Sequence, residues 1–166
     1  MRKLYALKGI VPVLNTPFTH DDKIDIEALK KNTELSIQAG VTGFLVPAMA
    51  SEVYKLTQKE RKRIVNAVLE QTNSRVPVIG GAGETEPDQR IKIIKDLIDV
   101  GCKNVLLQIP YQNHDQFYSE FNHAADLGPE MIMLQDWDFK GFGLPLDTIC
   151  KLFEDVPAFR CLKIEV

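Results

Sequence analysis

Cysteine is scarce in this 166-residue chain, with three residues at 102, 150 and 161 and no CxxC pair. An odd, scattered set excludes a disulfide framework, and the three histidines (His20, His114, His123) show no metal-ligand spacing. Neither a structural nor a catalytic metal is therefore expected. Charge of one sign is also missing. A net charge of −3 and a pI near 5.6 give no electrostatic reason to expect nucleic acid or an anionic membrane as partner. No apolar run approaches membrane-spanning length, and Met1-Arg2-Lys3 is not followed by a signal-peptide core. Scattered thiols fit a reducing compartment, so the expected location is cytoplasmic.

What is present is a repeating pattern. Apolar, β-rich runs at residues 8–14, 43–47, 76–80, 104–109, 130–134 and 158–166 read as six strands. Between them, residues 24–39, 57–71, 86–100, 115–126 and 146–154 read as five helices. Ile26, Leu29, Leu35 and Ile37 mark the apolar rhythm of the first helix, and Gly40 stands where its C-terminal cap belongs. Thr57-Gln58-Lys59-Glu60 is a capping box for the second. Strict alternation of strand and helix implies an α/β fold with a parallel sheet, either doubly wound or a (β/α)8 barrel.

A dinucleotide-binding fold requires GxGxxG after its first strand, and the turn there reads Asn15-Thr16-Pro17-Phe18. Gly80-Gly81-Ala82-Gly83 follows the third strand instead and reads as a tight turn rather than a phosphate cradle. The expectation is one (β/α)8 domain over residues 1–166. A full barrel runs to about 250 residues, so this chain covers its first six strands and reads as C-terminally incomplete.

The last predicted strand poses the chemical question. Alternation sends Leu162, Ile164 and Val166 to one face and Cys161, Lys163 and Glu165 to the other. A lysine in a core strand is a candidate amine nucleophile, because desolvation lowers its pKa. On an edge strand the same lysine guards against aggregation. The residues alone leave both readings open.

Several motifs, in order, settle more. They are Gly9-Ile10-Val11-Pro12 with Thr16-Pro17-Phe18, Gly40-Val41-Thr42-Gly43, and Glu52 with Leu56-Thr57 and Glu60-Arg61. Pro77 to Gly83, Pro110-Tyr111-Gln112-Asn113 and Leu162-Lys163 complete the set. With these the chain resembles the Schiff-base aldolases typified by dihydrodipicolinate synthase and N-acetylneuraminate lyase. The resemblance implies a (β/α)8 barrel, a homo-oligomer (dimer or tetramer), and an imine-forming lysine on the sixth strand, where Lys163 falls. It implies a 2-oxo acid of the pyruvate type as substrate and no cofactor. The scattered histidines, for their part, disfavour a metal-dependent aldolase.

Departures from the family pattern cluster. Where relatives read Gly-Thr-Thr-Gly-Glu, this chain has Ala48-Met49-Ala50-Ser51-Glu52, leaving the backbone amides of Ala50 and Ser51 as carboxylate donors. The family's proton-relaying tyrosine is replaced by Gln135, an amide that has no phenol proton to give. Gln112 replaces the tyrosine that relatives lend across a subunit boundary. Tyr111 is a candidate substitute phenol, and Lys140 stands about where relatives use an arginine for a second carboxylate. Asp136 and Asp138, with Trp137 between them, follow the fifth strand, where a carboxylate can serve as general base. Two functions are expected from this pattern. One is a Schiff-base lyase or aldolase with a non-standard proton relay. The other is a family member that has lost catalysis and binds an oxo acid or sugar acid as a sensor or scaffold.

Overall fold

The computed structural model describes residues 7–136 and 143–165. Trp137, Asp138, Lys140 and Val166 lie outside the described residues. The chain divides into two compact units. One runs to Gly81 and includes Asp96–Cys102; the other holds Ala82–Lys95 and the chain from Lys103 onward.

In the first unit, helix α1 spans Ile26–Gln38. Its N-cap is Asp25, whose carboxylate accepts the Ala28 N–H at 2.9 Å. Leu29 and Thr33 are its buried positions, while Leu35, expected on the core face, is 54% exposed. Gly40 ends the helix at φ +90°, a conformation glycine adopts without penalty. Strand β1, Phe44–Val46, pairs in parallel with β2, Val78–Gly81, with Phe44 opposite Val78 and Val46 opposite Gly80. Between them lies α2, Gln58–Thr72, and the predicted capping box is realised: Thr57 and Glu60 bond each other's backbone amides.

The expected first strand does not form a continuous ladder. Residues 8–14 make one parallel bridge, Val13 to Leu45. They also accept hydrogen bonds from Thr42 at Ile10 and from Leu45 at Pro12. Proline has no N–H to return, so the ladder is interrupted at Pro12.

The glycine run differs from expectation as well. Gly80 and Gly81 complete β2 rather than forming a turn. A Cβ on Gly81 would lie 1.9 Å from the Pro47 carbonyl oxygen. The missing side chain at Gly81 admits a neighbouring backbone and leaves no room there for a phosphate.

In the second unit three strands pair in parallel: β3 (Asn104–Leu107), β4 (Met131–Asp136) and β5 (Phe159–Ile164). Helix α3, Pro87–Asp99, precedes β3, and its last turn from Asp96 belongs with the first unit. Helices α4, His114–Asp126, and α5, Leu146–Asp155, follow β3 and β4. Asn113 caps α4 by accepting the Gln116 N–H at 2.9 Å. Aromatic rings tie the layers together: Phe121 and Phe153 both meet Phe159 edge-on, at 5.5 and 6.1 Å.

The β4–β5 pairing contains a bulge. Ile132 is opposite Phe159, but Met133 is opposite Cys161, so Arg160 is an extra residue on β5. Beyond the bulge the ladder is regular and sets Gln135 opposite Lys163.

Candidate active site

Two strand ends carry the residues singled out from the sequence, one in each unit. After β1 the chain turns through a 3₁₀ helix, Met49–Ser51, and a second, Val53–Lys55. Ser51 is fully buried, and its hydroxyl is completely engaged. It accepts the Ala48 N–H at 3.1 Å and donates to the Leu14 carbonyl. The Ser51 carbonyl accepts the Thr16 hydroxyl at 2.8 Å, and the Ser51 N–H donates to Ala48 at 2.9 Å. These bonds fold the segment onto residues 14–16. Ala50 is exposed at the crest of the same turn.

The other strand end gathers three side chains at β4 and β5. Lys163 and Gln135 stand opposite each other in the ladder, and residues opposite one another in a parallel pair point to the same face. Glu165, two residues beyond Lys163, is on that face too. Its carboxylate bridges the other two: one oxygen forms an ion pair with Lys163 Nζ, and the other accepts the Gln135 Nε2–H at 2.6 Å. The Lys163 side chain is only 22% exposed, and desolvation pushes its pKa below the ordinary lysine range. Asp136 is buried one residue further along β4, where Oδ1 accepts the Leu144 N–H at 2.6 Å. Cys161 is half-buried on β5, and burial raises its thiol pKa, which keeps it protonated and unreactive.

Tyr111 follows β3, with its ring 5.6 Å from that of Phe117. No hydrogen bond or ring contact among the described residues joins it to Lys163, Gln135 or Glu165. Lys140 lies outside the described residues. Glu165 was not chosen from the sequence, although its i+2 relation to Lys163 already put both on one face. Arg90 gave no signal at all. It is 2% exposed, paired with Glu120, and donates to the carbonyls of Glu84 and Thr85.

Thus a desolvated amine near the end of a parallel strand is held by one carboxylate, and that carboxylate is oriented by an amide. Residues 6–163 match the Dihydrodipicolinate synthetase family. The chain belongs to this family. Among curated relatives it is 35% identical over 161 residues to the 4-hydroxy-tetrahydrodipicolinate synthase of Methanococcus vannielii, covering 95% of this chain and 55% of that protein. It is 32% identical over 160 residues to the enzyme of the same name from Salinibacter ruber, covering 94% and 53%. The chain therefore spans about half the length of the curated relatives it matches. The fold is similar to that of the dihydrodipicolinate synthase of Acinetobacter baumannii, solved in complex with pyruvate. There the TM-score is 0.90 at 22% identity, covering 97% of this chain and 56% of that one. The dihydrodipicolinate synthetase fold is a (β/α)8 barrel, and this α/β chain carries its opening strands and helices. No helix among the described residues is long and apolar enough to cross a membrane.

Proposed function

We propose that this chain carries the imine-forming centre of a pyruvate-type class I lyase or aldolase, with Lys163 as nucleophile. The observation that carries the reading is the environment of Lys163: a strand-borne amine, mostly withdrawn from water, with a lowered pKa and the Glu165 carboxylate in contact. The amine attacks the ketone carbon of a 2-oxo acid, water leaves, and an iminium forms. That cation draws electrons from the adjacent carbon, so a C–C bond there is made or broken through a stabilised carbanion. The oxo acid's carboxylate requires N–H donors. Ala50 is retained as a proposed donor, while the Ser51 amide already donates within its own turn. Tyr111 and Lys140 are retained as proposed contacts to the remainder of the substrate. A homo-oligomeric, cytoplasmic enzyme fits this reading.

The sensor alternative requires a retained binding site without a working amine, and nothing observed at Lys163 favours it. The test is to incubate the protein with pyruvate and other 2-oxo acids, reduce with borohydride, and map the product by mass spectrometry. The expected result is a secondary amine on Lys163 and none in Lys163→Met. An adduct spread over several surface lysines, or none at all in folded protein, sinks the proposal.

A further inference from the structure

Gln135 creates a chemical gap, because an amide cannot carry a proton between solvent, amine and hydroxyl. The Glu165 carboxylate is in contact with the reacting nitrogen itself, and Gln135 holds its second oxygen at 2.6 Å. The oxygen facing Lys163 is thereby fixed, and the carboxylate is oriented as a base should be. Glu165 is 27% exposed, open enough to exchange protons with water. The carboxyl and the thiol on the two strands are spoken for: Asp136 accepts the Leu144 N–H, and the half-buried thiol of Cys161 stays protonated.

We infer that Glu165 is the proton carrier of the Lys163 centre and that Gln135 is its positioning residue. The inference rests on Lys163 forming an imine, as proposed above. The steps balance. Glu165 takes one proton from the Lys163 ammonium, leaving a free amine and a carboxylic acid. The amine lone pair forms the C–N bond, and the carbonyl π electrons move to oxygen. A proton passes from nitrogen to that oxygen through water, giving the neutral carbinolamine. Glu165 then returns its proton to the hydroxyl, the C–O bond breaks, and water departs with the bonding pair. The product is an iminium beside a carboxylate. One ammonium and one ketone have become one iminium and one water, with no other reactant. The pair that steadies the ammonium at rest also steadies the iminium.

The test compares wild type, Glu165→Gln and Glu165→Ala in the rate of borohydride-trapped pyruvate on Lys163. In parallel, the pH midpoint of Lys163 arylation by a small amine reagent is read by peptide mass spectrometry. The expected result is a fall of at least about tenfold in trapping rate for both variants, the size general acid–base catalysis supplies. Formate should restore the rate of Glu165→Ala in proportion to its concentration, and the arylation midpoint should move to lower pH once the carboxylate is gone. Trapping at the wild-type rate in Glu165→Gln overturns the inference. So does slow trapping that formate does not rescue with an unmoved midpoint, which would mark a purely structural role. Wild-type protein whose Lys163 arylates but never traps pyruvate overturns the imine reading itself, and this inference with it.

Discussion

The two strand ends use polar side chains in opposite ways. After β1, Ser51 is wholly buried and every polar atom named there is satisfied by nearby backbone or by Thr16. After β4 and β5, Lys163 and Glu165 are only part-buried and bonded to each other and to one amide. The first arrangement is closed: its hydrogen bonds shape a turn and leave no side chain free to react. The second is poised, since its partners are ionisable and separate when a proton moves. A hydroxyl is cheap to bury when paired, whereas a lysine in the same position keeps a desolvation cost that favours its neutral, nucleophilic form.

The contrast is open to direct assault. Lys163→Met should abolish imine trapping altogether in protein that is still folded by circular dichroism. Its effect on pH dependence has a definite sign. Because the folded amine titrates below the ordinary lysine value, the unfolded chain holds more protons between the two values, so wild-type stability rises with pH there. Lys163→Met should flatten that rise in denaturant titrations at successive pH values.

At the closed end the expected damage is structural. Gly81→Ala would force a methyl into the Pro47 carbonyl oxygen, a backbone atom that cannot rotate away. A loss of about 3 kcal/mol in urea unfolding is the expected outcome. Ser51→Ala should cost about 2 kcal/mol, because it leaves the Ala48 N–H and the Leu14 carbonyl without their buried partner. Wild-type stability in that variant would mean the hydroxyl is dispensable and the turn less closed than described.

The smallest effect belongs to a surface pair that shapes neither end. Arg75 bonds Glu34 through both terminal guanidinium nitrogens and holds its carboxyl at about 2, and Gln71 adds a further bond. With the folded pKa depressed, the contribution is present above the ordinary glutamate value and is lost as pH falls toward 2. Glu34→Gln should therefore be slightly less stable than wild type at neutral pH and converge on it as pH falls toward 2, visible by circular dichroism as a shallower acid limb.

Local signals in the sequence translated well where the physics is local. Thr57 with Glu60, and Gly40 after α1, needed only the chain within one turn to be read, and both act as caps in the structure. The alternation of strands and helices was legible for the same reason, and the lysine on the last strand fell on the polar face that alternation assigned it. Signals that depend on distant neighbours were not legible. Pro12 breaks a ladder whose partner lies some thirty residues on. Leu35 has the periodicity of a core residue, but more than half of it stays exposed. Gly81 looks like a turn residue until the Pro47 carbonyl is seen against it. Arg90 is the extreme case: an arginine in a polar helix segment gives no hint that three carbonyls and Glu120 will enclose it.

The bulge at Arg160 has a consequence for how such a centre is kept or lost. Opposed residues share a face, so the extra residue decides the parity of everything after it on β5. With Arg160 bulged out of the pairing, Lys163 faces the side of Gln135; were Arg160 paired in a regular ladder, Leu162 would take that place and the lysine would turn away. The identity of the proposed nucleophile thus rests on one position and its orientation on another. A change that flattens the bulge while keeping its residue turns this amine to the other face, although the lysine itself stays intact in every alignment.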